Sequence, residues 1–178
     1  MMNVISQSTT PDRLMRAAGG FAIVSGIISA IGVLFLIAMF IFFATSRQSL
    51  GETFGMINDI CVAIQYLLTI PIALAMDQIL RPNNPTLVRF ATIFGIFMML
   101  IVAGLQMALV FGVIPFEKQV GWVSLAMLLG VGTWLVITGL VSRSTGKLPH
   151  SVLMSGLAVP YLGYPVWAFW IGRLLLGF

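Results

Sequence analysis

Residues 17–44 read AAGGFAIVSGIISAIGVLFLIAMFIFFA, a stretch without a charged side chain. A helix needs about 20 mostly apolar residues to cross the hydrocarbon core of a bilayer. This stretch is longer than that, and far longer than the roughly 7–15 apolar residues of a signal peptide. It therefore predicts a retained first transmembrane helix, with Thr10 as its cap and Pro11 in its first turn.

The rest of the chain is built in the same way, from long apolar stretches separated by short polar breaks. The predicted spans cover residues 17–44, 54–80, 86–113, 120–141 and 150–176. Of the 178 residues, 60% are hydrophobic and only 8% are charged, whereas about 25% are charged in a typical soluble domain. The composition predicts an all-α fold, a single polytopic transmembrane helical bundle of about five spans.

The basic side chains predict how this bundle sits in the membrane. If the N-terminus is cytoplasmic, the cytoplasmic side carries six of the nine Lys and Arg residues: Arg13, Arg16, Arg81, Arg89, Arg143 and Lys147. The other side then carries Arg47, Lys118 and Arg173. Because cytoplasmic loops are enriched in Lys and Arg, this predicts a cell-membrane protein with its N-terminus inside and its C-terminus outside.

The second span holds most of the polar side chains that would lie inside the membrane. At about 100° per residue, Asn58, Gln65 and Thr69 fall on one face of a helix. Gln106 in the third span is a candidate partner for this polar stripe. Polar residues inside a membrane face the bundle interior, a partner or a water-filled path. The stripe therefore predicts either hydrogen bonds between helices or a path for an ion, a proton or a polar ligand.

The two acidic residues of the second span lie on a different face, and each admits two interpretations. Asp77 precedes Arg81 by four residues, a spacing that favours an ion pair at the end of the helix. Asp59 lies close enough to the membrane surface to reach water or Arg173. Alternatively, Asp59 lines a path together with the polar stripe. In both cases the sequence favours the structural interpretation over the functional one.

Several kinds of site are excluded by the residue types present. His150 is the only histidine and Cys61 the only cysteine, which is too few ligands for a bis-histidine haem or a zinc site. We therefore expect no enzymatic activity, no catalytic residue, no metal and no cofactor. The basic residues form no patch for nucleic acid. The expected partners are the lipid bilayer, other membrane-protein subunits or a second copy of the chain.

The last predicted span contains two prolines, Pro160 and Pro165, on either side of Gly163. They predict a bend or a local opening of the helix near mid-membrane. Each proline leaves the carbonyl group four residues before it without its amide partner. The side chains of Tyr161, Tyr164 or Gln65 could donate a hydrogen bond to such a group.

Small residues at four-residue spacing predict close contacts between helices. In the first span they are Ala22, Gly26 and Ala30, and in the fourth they are Ala126 and Gly130. Glycine and alanine at this spacing let two helix backbones approach closely. Such faces occur in membrane bundles of any function, so they predict packing rather than a site.

The C-terminal part of the chain is its most distinctive stretch, with TGKLP at residues 145–149 and YPVWAFWIGR at residues 164–173. Through its Thr-Gly-x-Leu-Pro loop and its Tyr-Pro-x-Trp-Ala-x-Trp-x-Gly-Arg ending, it resembles a family of bacterial multi-pass membrane proteins known as a domain of unknown function. The resemblance covers the C-terminal quarter and extends to the remainder only in hydropathy. It implies a bacterial membrane bundle and no catalytic residue.

These observations leave more than one function open. The leading hypothesis is a non-enzymatic integral membrane protein, either a small bundle or an accessory or structural subunit of a membrane complex. The alternative is a small oligomeric transporter or channel that uses the polar stripe and a broken fifth span. A membrane enzyme acting on a lipid or quinone comes third. A site is expected where the second and fifth spans meet, and the candidate residues are Asn58, Asp59, Gln65, Thr69, Gln106, Tyr161, Tyr164 and Arg173.

Overall fold

The computed structural model describes residues 9–146 and 163–177, with side chains from residue 13 onward. The elements are α1 (Thr9–Ala44), α2 (Gln48–Leu80), α3 (Pro85–Val110), α4 (Phe116–Ala126), a π-helical segment (Met127–Gly132), α5 (Thr133–Thr145) and α6 (Gly163–Leu176). The described elements are all helical, and four helices are long and apolar enough to span a membrane. The prediction of an all-α transmembrane bundle is confirmed.

The long helices correspond to the first four predicted spans, because α4, the π-helical segment and α5 form one unbroken helix over Phe116–Thr145. The described part of the fifth predicted span is α6. Its 14 residues measure about 21 Å, which is less than the roughly 30 Å of a hydrocarbon core. Residues 150–162 of that predicted span lie outside the described residues.

Several helices begin earlier than the sequence predicted. α2 begins at Gln48 rather than at residue 54, and α4 begins at Phe116 rather than at residue 120. The apolar stretches set the predicted bounds, whereas a helix can continue through polar residues into the headgroup region. At the start of α3, the Asn84 side chain accepts a hydrogen bond from the Leu87 amide at 3.3 Å. Thr10, in contrast, lies within α1 instead of capping it.

Successive long helices are antiparallel. A tight turn, in which Ser46 has a φ of 60°, joins α1 to α2. Gly32 of α1 packs against Cys61 of α2, and Gly55 of α2 packs against Met39 of α1. α3 returns along α2, and the helix Phe116–Thr145 returns along α3. We call the end where α1 begins and α2 ends the near end, and the opposite end the far end.

The last helix corrects two predictions made from the sequence. α6 runs antiparallel to α1, because Tyr164 contacts Ser25 whereas Leu176 packs against Gly19. α6 therefore ends at the near end, the same end at which α1 begins, and not at the opposite one. Arg173, beside Gly172 and Leu176, consequently lies about 20 Å along α1 from the level of Asp59. The suggested contact between Asp59 and Arg173 is wrong.

The near half of the bundle has a tightly packed aromatic centre. Trp134 of α5 and Trp167 of α6 are each only 1% exposed. Their ring centroids lie 6.3 Å apart with the ring planes nearly perpendicular, an arrangement that aromatic pairs prefer. Gly95 of α3 leaves room for Trp134, since a Cβ atom there would lie 2.8 Å from the tryptophan Cβ. These contacts join α3, α5 and α6.

The predicted small-residue faces are largely confirmed. Ala22 is buried, and Gly26 packs against Ala168 and Phe169 of α6. Ala30 is exposed, so the first face extends towards Gly19 instead. In the fourth span Ala126 and Gly130 are both buried, and Gly130 packs on Met98. The small residues of α1 thus form the surface on which α6 lies.

Candidate functional site

Two groups of buried polar side chains join different helices, and the first lies at mid-bundle around the hydroxyl of Tyr164. Ser25 of α1 hydrogen-bonds this hydroxyl at 2.7 Å, and Thr69 of α2 hydrogen-bonds it as well. Both Ser25 and Thr69 also donate to the main-chain carbonyl oxygen of Gln65, at 3.3 Å and 2.8 Å. The hydroxyls of Ser25, Thr69 and Tyr164 supply three protons for these four contacts. At any moment, one contact therefore has no proton of its own.

This group, the Tyr164 network, fastens α6 to the hairpin of α1 and α2. Tyr164 is 9% exposed, and Thr69 is 1% exposed. Hydrogen bonds of this type between membrane helices contribute about 0.6–2 kcal/mol each. The sequence identified Tyr164 and Gln65 as hydrogen-bonding residues, but Gln65 acts here through its main chain. Tyr161 lies outside the described residues.

The second polar group lies in the far half of the bundle. The amide nitrogen of Gln119 in α4 donates to the amide oxygen of Gln106 in α3, and both side chains are buried. Asn58 of α2 is 7% exposed, and its neighbour Asp59 is half-buried. All four residues line one cavity. The sequence therefore identified three members of this group and missed Gln119.

The cavity has a volume of about 600 Å³ and is bounded by α1, α2, α3 and α4. Its polar lining consists of Glu52, Asn58, Asp59, Gln106, Gln119 and Ser124, and the remaining described lining is apolar. Three phenylalanines, Phe40, Phe43 and Phe116, lie on the apolar side. All three are more than a third exposed, so the cavity is open on this side.

The fold explains why a cavity lies in this half. α1 packs on α2 and α6, whereas α4 packs on α3. α1 and α4 therefore stand on opposite sides of the cavity. In the near half, α6 fills the corresponding space because Trp167 meets Trp134 there. Because Ala168 lies beside Gly26 in the antiparallel pair, the described part of α6 begins little more than one turn beyond Gly26. The far-end space between α1 and α4 is consequently not filled by α6.

The charges around the cavity are one-sided. Asp59 and Glu52 belong to the lining, and the described lining residues include no lysine, arginine or histidine. Within the described part of the chain, the one ion pair is that between Asp77 and Arg81 at the near end. Asp59 therefore has no ion-pair partner among the described residues.

The other acidic residue of α2 has an ordinary structural role. Asp77 is 3% exposed and forms the predicted ion pair with Arg81, which lies four residues later. The pair is confirmed, and it lies at the opposite end of α2 from the cavity. Arg173 is exposed near the same end. Neither Asp77 nor Arg173 therefore belongs to the candidate site.

The described lining of the cavity combines a few polar groups with a larger apolar part. Its described lining offers carboxylates, amides and the single hydroxyl of Ser124. Over residues 9–146 and 163–177, no group of three or more His, Cys, Asp or Glu side chains could hold a metal ion. Comparisons of the chain with protein-family models, with curated proteins and with solved structures found no match.

Proposed function

We propose that this protein is a non-enzymatic integral membrane protein that binds one small amphiphilic molecule in its far-end cavity, as a small bundle or as an accessory subunit of a membrane complex. The observation that carries the proposal is the cavity itself. It joins a buried polar wall to an apolar wall within the membrane-spanning part of the bundle. A molecule with one polar end and one apolar end matches both walls.

The dimensions of the cavity support binding of a small molecule. Its volume of about 600 Å³ lies within the roughly 300–1,000 Å³ of typical ligand pockets. The polar groups are few, and Asn58, Asp59, Gln106 and Gln119 line the same cavity from three helices. Such a set orients a ligand, whereas the apolar lining supplies most of the contact area.

Filling the cavity with large side chains should weaken the binding of an apolar probe. Val120 and Ser124 both line it from successive turns of α4. We expect the double variant Val120→Trp/Ser124→Trp to bind N-phenyl-1-naphthylamine, a neutral hydrophobic fluorophore, at least about tenfold more weakly than the wild type, because two indole rings occupy the ligand volume. The measurement is a fluorescence titration of protein in phosphatidylcholine nanodiscs, corrected with empty nanodiscs.

The matched control places the same two tryptophans on the outer face of the same helix. Gly121 and Leu125 are exposed and do not line the cavity. Gly121→Trp/Leu125→Trp should bind the fluorophore like the wild type. Equal binding by the wild type and both double variants would show that the probe binds only to lipid or to the outer surface. That result would overturn the proposal.

A transporter or channel is the second candidate, and one observation favours it. The cavity occupies the far half, whereas the pair of Trp134 and Trp167 fills the near half and the Tyr164 network lies at mid-bundle. Alternating access requires a site that is open towards one side and closed towards the other. In this interpretation the polar residues of α2 contact the transported species.

Flux measurements test this second candidate. Wild-type protein in liposomes should carry sodium, potassium or protons down an imposed gradient, and Asp59→Asn should reduce that flux at least about tenfold if the carboxylate contacts the ion in the membrane. Glu117→Gln, which removes an exposed acid of α4 outside the cavity, is the control. A wild type without flux, or an Asp59→Asn variant with unchanged flux, rejects transport of these ions.

A further inference from the structure

We propose that the far-end cavity selects amphiphilic cations, with the positive charge of the ligand beside Asp59 and its apolar part along the phenylalanine side of the cavity. This inference rests on the proposed function, because it names the chemical class of the ligand for the same site. The ligand is an organic ammonium or phosphonium ion. Its apolar body allows it to partition into the membrane and to enter the cavity from there. Three properties of the cavity support this class.

The first property is the sign of its charge. The lining carries two carboxylates, Asp59 and Glu52, and the described lining has no basic side chain. An anionic ligand would bring a third negative charge into a site of low dielectric constant, whereas a cation neutralises the buried one. Glu52 is exposed at the rim and Asp59 is half-buried. The inner carboxylate therefore determines selectivity, and the rim carboxylate attracts cations from solution.

The second property is the aromatic content of the apolar side. Phe40 and Phe43 come from α1 and Phe116 from α4, so aromatic rings line the cavity from opposite sides. The faces of aromatic rings attract organic cations and also provide apolar contact area. An amphiphilic cation gains from both the attraction to the ring faces and the apolar contact. A small hydrated metal ion would gain only from the attraction of its charge.

The third property is the position of the amide pair. The hydrogen bond between Gln119 and Gln106 holds both side chains in the lining. Each amide carries an oxygen acceptor and N–H donors, so the pair can hydrogen-bond to the polar end of a ligand of either charge. The amide pair therefore supports a ligand with a polar end, and the carboxylates determine the sign of its charge.

The test uses two ions of the same shape and opposite charge, tetraphenylphosphonium and tetraphenylborate. Wild-type protein in phosphatidylcholine nanodiscs should bind tetraphenylphosphonium saturably and at least about tenfold more tightly than tetraphenylborate, after subtraction of partition into empty nanodiscs. Asp59→Asn should weaken phosphonium binding at least about tenfold, because it removes the charge and keeps the side-chain shape. Glu52→Gln should weaken it only about twofold, because this carboxylate is exposed.

Two controls separate this inference from the proposed function. Glu117→Gln removes an exposed acid outside the lining and should leave phosphonium binding unchanged. Asp59→Asn should keep the helical circular-dichroism spectrum and the unfolding midpoint of the wild type in detergent, which shows that the variant is folded. If the wild type binds the neutral probe but does not prefer phosphonium over borate, the selectivity for cations is wrong and the cavity remains a binding site. If it binds none of the three probes saturably, both proposals fail.

Discussion

Replacing Trp134 with alanine is expected to lower the free energy of unfolding by about 3–5 kcal/mol, the range for large buried aromatic residues. The side chain is 1% exposed and touches both Gly95 and Trp167. Its removal leaves a void between α3, α5 and α6. The indole nitrogen has no hydrogen-bond partner in the described structure, so the loss comes from packing alone. Titration with sodium dodecyl sulfate in mixed micelles, followed by circular dichroism, measures the change.

Trp122 provides the control for this prediction. It belongs to the same long helix but is 61% exposed, so Trp122→Ala should change the free energy of unfolding by less than about 0.5 kcal/mol. The loss for Trp134→Phe should lie between those for Trp134→Ala and Trp122→Ala, since phenylalanine keeps one aromatic ring in contact with Trp167. Similar losses for Trp134→Ala and Trp122→Ala would show that the aromatic centre does not stabilise the bundle as described.

Replacing Gly172 with leucine is expected to separate α6 from α1 and to lower the free energy of unfolding by about 3 kcal/mol, because overpacking of a rigid contact is strongly destabilising. A Cβ atom at Gly172 would lie 3.0 Å from the main-chain oxygen of Gly19 and 3.2 Å from the Cβ of Ala22. The first of these neighbours is backbone, which cannot rotate away. The helices must therefore move apart.

Cross-linking measures this separation directly. In a Cys61→Ser background, cysteines at Gly26 and Ala168 should form a disulfide, because a Cβ at Gly26 would lie 3.3 Å from that of Ala168, close to the roughly 3.5–4.5 Å of disulfides. Gly172→Leu should suppress this cross-link. Gly104→Leu is the control, since a Cβ there meets no atom within 4 Å. A cross-link yield unaffected by Gly172→Leu would contradict the described contact.

Much of the fold could be predicted from the sequence, because length and apolarity alone determine where a chain can cross a bilayer. The spans, the Asn84 cap, the ion pair of Asp77 with Arg81 and the buried position of Thr69 all follow from local rules. The direction of α6 does not follow from them. Hydropathy identifies residues 150–176 as an apolar stretch, but it does not tell in which direction a helix within that stretch runs.

The candidate site was predicted less completely. Helical periodicity placed Asn58 inside the bundle, and intramembrane polarity singled out Asp59 and Gln106. Neither pattern revealed that these residues line one cavity together with Gln119. Gln119 follows a turn and lies outside the predicted fourth span, which begins at residue 120. Ser25 was also missed, since a single serine among apolar residues gives no signal without its partner Tyr164. Contacts between distant helices are tertiary information that one helix does not carry.

The π-helical segment Met127–Gly132 has a consequence for how the two halves of its helix face the bundle. Ala126 and Trp134 are both buried, yet on an uninterrupted α-helix residues eight apart would point about 80° away from each other. A π turn takes up one additional residue, equivalent to about 100° of rotation. The segment thus keeps Ala126 and Trp134 on the same buried face of the helix. In this respect it is equivalent to a one-residue insertion. Deleting one of its residues would leave Ala126 and Trp134 on that face, whereas the same deletion within α4 or α5 would rotate the residues beyond the deletion by about 100° relative to the rest of the helix.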